Sequence, residues 1–339
     1  MNQVIKHLIW SLLLLLPGLC LNGNTEESTT VSFEQRRPES DTELRYWLEN
    51  CLWHHGFSTE ETTAALGLSE MEIKMTMKRL GMSKSAPDFS SKSEASLKVL
   101  PYPGGRHPRV GFLDGAIRPQ RETKISIFTP WDPATYAVLD VPEAIWCQEG
   151  LYYLAHTHIP TVWSQKGTVL PKLDWIRHAD GSYSLDRSFP DSVTLQAMIR
   201  PLKDSVVMQL SLFNGSSRTM KDLRVQNCVM FKGLQGWIPK DDSNLFKKGN
   251  TIACGDDEGT HWVITSWRPI HRLWVNPPVP CIHADPKFPD CPPGETQNIQ
   301  GWFSFYEGRN IEDEMARIED LEWWDWFITP KLSDKPQDP

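Results

Sequence analysis

From residue 110 to about residue 308 the hydrophobic pattern of this 339-residue chain repeats every second position. Val193, Leu195, Ala197 and Ile199 alternate with Thr194, Gln196, Met198 and Arg200. Val206, Met208, Leu210 and Leu212 alternate with Val207, Gln209, Ser211 and Phe213, and Leu223, Val225, Asn227 and Val229 follow. A period of two is the period of a β-strand, because successive side chains point to opposite faces. Turn signals recur about every ten residues: Asp180-Gly181, Pro201 to Asp204 and Asn214-Gly215-Ser216. Such a pattern predicts a mainly β protein, a large antiparallel β-sandwich built as a long meander. The 26 prolines and 21 glycines supply its turns.

Outside this region the period changes. ELRYWLENCLWHHG (43–56) has apolar residues at helical spacing and a glycine stop. Ser58-x-x-Glu61 and Ser69-x-x-Glu72 are capping boxes that open second and third helices, closed by Gly67 and Gly81. Residues 41–83 therefore read as a small three-helix module. Its helix-turn-helix pattern resembles units of sigma-factor and repressor domains, but its charge argues against nucleic acid. Arg45, Lys74, Lys78 and Arg79 face Asp41, Glu43, Glu49, Glu60, Glu61, Glu70 and Glu72, and the whole chain carries a net charge of −8. Binding a polyanion needs clustered Lys and Arg. The module reads instead as a spacer or as a docking unit for a protein partner. Residues 84–109, rich in Ser, Pro and Gly, read as a linker to the sandwich at 110–328. NIEDEMARIEDLEWWDWF (310–327) reads as an amphipathic helix with Ile311, Met315, Ile318 and Leu321 on one face.

Residues 1–23 read as a signal peptide. Lys6 and His7 precede the apolar run LIWSLLLLLPGL, which Pro17 and Gly18 break before it reaches membrane-spanning length. The expectation is an exported protein, periplasmic or extracellular, with no integral membrane segment after cleavage. Cys20 adds a lipoprotein reading. The cysteines left after cleavage are Cys51, Cys147, Cys228, Cys254, Cys281 and Cys291, an even number compatible with disulfides. Cys281 and Cys291, bracketing CIHADPKFPDC, are the expected pair; Cys228 lies in a strand pattern and reads as a buried thiol.

The run SVVMQLSLFNGSSRTMKDLRVQNC (205–228) and the late PPGETQNIQGWFSFYEG (292–308) resemble parts of the galactose-mutarotase-like β-supersandwich. The resemblance implies a fold shared by sugar epimerases, polysaccharide lyases and non-catalytic glycan-binding domains, so it does not decide among them. The whole chain is also similar to uncharacterised exported proteins of environmental bacteria, a resemblance that implies no activity.

The candidate chemistry starts at GLYYLAHTHIP (150–160). Read as a strand, it puts His156 and His158 side by side on one face, in line with Tyr152. Three readings stay open: two solvated polar residues, a sugar-contacting or acid–base pair, or metal ligands completed by His283 and Asp285. An epimerase-like reaction needs an acid and a base. Glu307 occupies the late position of an epimerase base, and His156, His158 or His261 offers the acid. Trp302, Ser304 and Tyr306 share the opposite face of the last strand and look like a sugar platform. LDGAIRPQRE (113–122) brings Asp114, Arg118, Arg121 and Glu122 into one loop, either to bind hydroxyls and carboxylates or as a salt-bridge network. Trp163, one of 15 tryptophans, is a further candidate for a sugar-stacking ring, and Arg177, His178, Arg268 and His271 lie near Trp175, Trp267 and Trp274. Asn214-Gly215-Ser216 fits both a glycosylation acceptor and a hairpin turn. The leading expectation is carbohydrate binding or processing. The alternatives are a non-catalytic scaffold or interaction protein and a metal-binding protein using His156, His158 and His283. The sequence names no cofactor.

The export reading generates a direct expectation. A phosphatase reporter that is active only outside the cytoplasm, fused after residue 40, gains activity, and Leu14→Arg in the apolar run abolishes it. Equal activity with and without that charge removes the signal-peptide reading.

Overall fold

Strand β3 (Tyr136–Cys147) carries Ala137, Val138, Leu139, Val141, Ala144 and Ile145, all buried. A strand apolar on both faces must be covered on both, and that requirement organises the molecule. The computed structural model describes residues 36–83, 85–87, 96–109, 121–155, 159–240, 243–276 and 281–326, all within the compact unit Phe33–Pro339. Among them the strands run β1 (Val99–Pro101), β2 (Lys124–Phe128), β3, β4 (Gly150–Leu154), β5 (Ile176–Arg177), β6 (Tyr183–Ser188), β7 (Val193–Pro201) and β8 (Ser205–Asn214). They continue as β9 (Arg224–Met230), β10 (Leu245–Lys248), β11 (Thr251–Gly255), β12 (His261–Arg268), β13 (Ile270–Val275), β14 (Cys281–Pro286) and β15 (Thr296–Glu307). The helices are α1 (Asp41–Leu48), α2 (Thr59–Leu66), α3 (Glu70–Arg79) and α4 (Ile311–Asp320). None of the described helices is long and apolar enough to cross a membrane.

The strands form two antiparallel sheets. A seven-stranded sheet has the order β1-β2-β3-β9-β14-β13, with β4 paired to β3; an eight-stranded sheet has the order β10-β11-β12-β15-β8-β7-β6-β5. The inner faces pack together through residues such as Ile125, Leu139, Val225, Leu195, Leu210 and Phe303. In β7 every second residue is buried, Val193, Leu195, Ala197 and Ile199, as the alternation predicts.

Both outer faces are covered by helices. On the eight-stranded sheet, Ile311, Met315 and Ile318 of α4 meet Val207, Trp262, Ile264 and Trp302. Each such apolar side chain contributes about 1.5–3 kcal/mol on burial. Asn310 caps α4 by accepting from the Asp313 amide. The helix ends at Asp320, earlier than the 310–327 reading, and a 3-10 turn, Trp323–Asp325, follows.

On the seven-stranded sheet, Trp47, Leu48, Phe57, Leu66 and Ile73 share one cluster with Tyr102, Phe128, Tyr136, Val138 and Met230. The helices at 41–83 thus complete the sheet's core, and the segment read as a linker supplies β1. Both capping boxes form: Ser58 and Glu61, and Ser69 and Glu72, exchange side-chain and backbone hydrogen bonds. Gly67 ends α2 in the left-handed region that favours glycine. α1 runs on through a π-helical turn, Glu49–His54.

The expected disulfide does not form. The six described cysteines are free. Residues from Cys281 form strand β14, so the proline-containing segment CIHADPKFPDC is not a loop throughout. Cys281 joins the cluster under the helices, whereas Cys291 joins the core between the sheets. The two thiols therefore sit on opposite sides of the sheet.

His55 ties helix to sheet. Its Nδ1 lies 2.9 Å from the Asn50 carbonyl and its Nε2 2.7 Å from Ser126 Oγ. The carbonyl only accepts, so Nδ1 donates and Nε2 accepts, which is the neutral ring. Burial among Phe57, Tyr102, Phe128 and Tyr136 lowers its pKa to about 3, although the Asn50 bond works the other way. In the unfolded chain it titrates near 6.5. Between these values the unfolded state binds more protons, so stability is intact above pH 6.5 and is lost as pH falls toward 3. The expected slope from this group is about 1.4 kcal/mol per pH unit. Urea unfolding of wild type and His55→Gln from pH 7.5 to 4 checks it: the advantage of wild type shrinks on acidification. A pH-independent difference contradicts a buried neutral His55.

Candidate functional site

At one end of the sandwich the two sheets meet in an aromatic rim. Trp131 sits in the connection from β2 to β3, where the hydroxyls of Thr129 and Thr135 and the Asp132 carbonyl close the turn. Its ring stacks against Trp237 at 6.1 Å and 14° and lies 4.5 Å from the His261 ring and 5.4 Å from Phe305. The Trp237 indole donates to the Cys254 carbonyl (3.2 Å). His261 opens β12, directly opposite Glu307 at the end of β15. Directly opposed side chains on antiparallel strands have Cβ atoms about 4.5–5.5 Å apart. Imidazole and carboxylate thus form a pair beside an indole platform. Trp131 is half-buried, the His261 side chain 29% exposed, and Glu307 exposed.

The turn between β11 and β12 orients this pair. His261 Nδ1 lies 2.9 Å from Asp256 Oδ2, and the Thr260 amide donates to Asp256 Oδ1 at 2.8 Å. Burial works to raise the Asp256 carboxyl, yet the hydrogen bonds from His261 and Thr260 outweigh it and hold the group below its usual range. An ionised Asp256 takes the Nδ1 proton as a hydrogen bond, which fixes the tautomer and leaves Nε2 as the reactive nitrogen. The Gly308 amide, donating to the Thr260 carbonyl at 2.7 Å, ties this turn to the end of β15.

The rim contains two expected residues, Glu307 and His261, and three that sequence reasoning passed over, Trp131, Trp237 and Asp256. The available signal for Trp131 was a large ring in a polar Pro-Trp-Asp-Pro turn, where nothing apolar belongs unless it is covered or used. Asp256 precedes His261 by five residues across an Asp-Glu-Gly turn and shows no periodic signal.

The other expected residues go elsewhere. His156, His158 and Arg118 lie outside the described residues, as do residues 1–23 with Cys20. Strand β4 ends at Leu154, so the strand reading of 150–160 extends further than the observed strand. Trp302 is 1% exposed, with its ring 6.0 Å from Trp323 beneath α4 and its indole donating to Ser304 (3.0 Å). Parity was right that Trp302, Ser304 and Tyr306 share a face; α4 covers that face, and Tyr306 is half-buried against the same cluster. Trp163 is buried against Tyr152 and Phe189. Arg121 is buried, its guanidinium 3.3 Å from the Trp47 ring centre and 2.9 Å from Asp174. Glu122 accepts from Tyr153 (2.9 Å) and the Leu173 amide (3.1 Å) and pairs with Arg187. Arg121 and Glu122 therefore join the helices, the sheet and the 173–174 segment as structural ties. Asn214 is buried, its amide donating to the Arg218 and Cys291 carbonyls, so the Asn-Gly-Ser pattern is a turn here. His283 is fully buried on β14, within 4.8 Å of the thiols of Cys228 and Cys281.

No sequence-family model matches the chain, and no curated protein sequence does. Its fold resembles that of several solved structures at low identity. One, assigned as a kojibiose phosphorylase from the human microbiome, is 9% identical with a TM-score of 0.34, covering 59% of this chain and 27% of its own. A protein assigned as an aldose 1-epimerase from Escherichia coli K12 is 12% identical with a TM-score of 0.33, covering 50% and 84%. The heparan sulfate lyase HepC from Pedobacter heparinus is 12% identical with a TM-score of 0.31, covering 82% and 44%. The chain thus spans about a quarter of the length of the phosphorylase and less than half of the lyase.

The burial of Trp302 separates core from platform. Trp302→Ala is expected to cost about 3–5 kcal/mol of stability, read by urea denaturation. An unchanged midpoint would return this ring to the surface.

Proposed function

We propose that the protein binds a carbohydrate at the rim built by Trp131, Trp237, Asp256, His261 and Glu307, and that the His261–Glu307 pair performs acid–base chemistry on it. The observation that carries this reading is the Trp131 ring, half-exposed and 4.5 Å from His261, whose strand partner is Glu307. An indole face receives the C–H face of a sugar ring, while the surrounding polar groups bind hydroxyls. A carboxylate and an imidazole on one ligand suit epimerase- or lyase-like proton transfer. Glu307 accepts a proton from the sugar, and His261 returns one through Nε2 to an oxygen of the same ligand. The Nδ1 bond to Asp256 holds the ring so that Nε2 faces the ligand for this donation. No electrons are exchanged in the step.

The rival reading is a non-catalytic interaction protein that docks a partner through residues 41–83. Met71 and Met75 of α3, 65% and 64% exposed, favour it. Export of the chain, as residues 1–23 imply, is part of the proposal in either case.

A screen of the full chain against a glycan array and soluble polysaccharides tests the sugar reading. A competable ligand is expected, bound about tenfold more weakly (about 1.4 kcal/mol) by Trp131→Ala. With that ligand, Glu307→Gln keeps binding and loses turnover by about 100-fold or more. A folded protein with no glycan ligand overturns the proposal, as does a ligand indifferent to Trp131. Capture of a partner that Met71→Glu/Met75→Glu abolishes would favour the rival.

A further inference from the structure

A second constellation lies on the outer face of the seven-stranded sheet, in a different sheet from the His261–Glu307 pair. Alternate residues of β14, Cys281, His283 and Asp285, point to this face, and β9 brings Cys228 alongside. Cys228, Cys281 and His283 each offer one donor atom, and the three atoms lie within 4.8 Å of one another. Cys281 Sγ is 3.1 Å from His283 Nε2. All three residues are 1% exposed or less. On the far side of the ring, His283 Nδ1 is buried, has no hydrogen-bond partner among the described residues, and lies 3.7 Å from Asp285 Oδ1.

We propose that Cys228, Cys281 and His283 bind a thiophilic metal ion, Zn²⁺ or Cu⁺. Two sulfurs and one imidazole nitrogen make the soft donor set these ions select. Two thiolates balance the charge of a divalent ion, which makes such a site tolerable in the interior. The surroundings match what a metal-ligating histidine requires behind it. A carboxylate stands at its second nitrogen, and small movements turn 3.7 Å into a hydrogen bond when Nε2 takes the ion. That carboxylate is itself held by the Asn227 amide (3.1 Å), the Trp274 indole (2.6 Å) and Arg272 (2.7 Å). The Trp274 ring stacks on His283 at 3.9 Å and 14°, which fixes the plane of the imidazole. Arg109, paired with Glu143, lies 3.6 Å from Cys228 Sγ and donates to it. Binding breaks two S–H bonds, releases two protons and forms two metal–sulfur bonds and one metal–nitrogen bond, with no change in oxidation state. A tetrahedral ion keeps one position for water.

The experiment uses the full chain, purified with its thiols reduced. Zinc and copper are measured directly, and the metal-free protein is then titrated with Co²⁺. The expected result is about one ion per chain and an intense sulfur-to-cobalt charge-transfer band with the visible bands of tetrahedral cobalt. Cys281→Ser loses the charge-transfer intensity, while Cys254→Ser, whose thiol lies in the eight-stranded sheet, retains it. Unfolding of Cys281→Ser does not spoil the test, because wild type and Cys254→Ser carry it. A folded, reduced wild-type chain that gives no tetrahedral thiolate–cobalt spectrum overturns the proposal. So does an unchanged spectrum in Cys281→Ser. Loss of the metal site leaves the glycan proposal standing, since Trp131 and Glu307 take no part in it.

Discussion

The seven-stranded sheet is apolar on both faces, and the rest of the structure follows from covering it. A β-strand exposes one face to each side, so a sheet with Leu139 and Val225 inward and Val138 and Met230 outward has two surfaces to remove from water. The eight-stranded sheet covers the inner one. Helices α1 to α3 cover the outer one, with Asn50 donating to the Pro101 carbonyl (2.9 Å) and His55 reaching Ser126. The eight-stranded sheet repeats the arrangement more modestly under α4. The layers run helices, sheet, sheet, helix, and few polar side chains inside them reach solvent.

This layering decides where chemistry has room. Lys124 and Asp140 pair at 2.7 Å with almost no exposure, and Arg109 and Glu143 form a second buried pair. Such buried pairs hold a fold in register and are costly to break from one side. Tryptophan follows the same rule: Trp163, Trp267, Trp302 and Trp323 are core fillers. The rim differs because strands β12 and β15 end there, so His261 and Glu307 keep their partners on one side and water on the other. The thiol cluster is the opposite case, a dry, aligned donor set suited to an ion and closed to a sugar.

Much of the architecture was legible in the sequence because it rests on local rules. The alternation in β7 and β8, the serine–glutamate boxes at Ser58 and Ser69, the glycine stop at Gly67 and the apolar stripe of Ile311, Met315 and Ile318 each express a period or a cap. The face shared by Trp302 and Tyr306 was legible too. What covers that face was not, because parity says which residues travel together and nothing about the neighbour across the layer. The same gap hid the docking of α1 to α3: their apolar stripes match any apolar surface. Cys281 reads as a loop cysteine because it opens the proline-containing segment CIHADPKFPDC, yet β14 starts at that residue, pairing with β9 at Cys281 and Ile282 and with β13 from Ile282 onward. Of the candidate site, Glu307 and His261 were visible as residue types at strand ends. Their juxtaposition depends on the register of β12 with β15, and Trp131 arrives from the other sheet.

The central claim is that helices 41–83 and the seven-stranded sheet are one cooperative structure. Native-state hydrogen exchange reads this amide by amide. The account predicts that Leu66 and Ile73 in the helices exchange with the same opening free energy as Val138 and Met230 in the sheet, all rising and falling together with denaturant. Helix amides that open at lower free energy while Val138 and Met230 stay protected would contradict it. Residues 41–83 would then be a separate module resting on a sheet that stands without them.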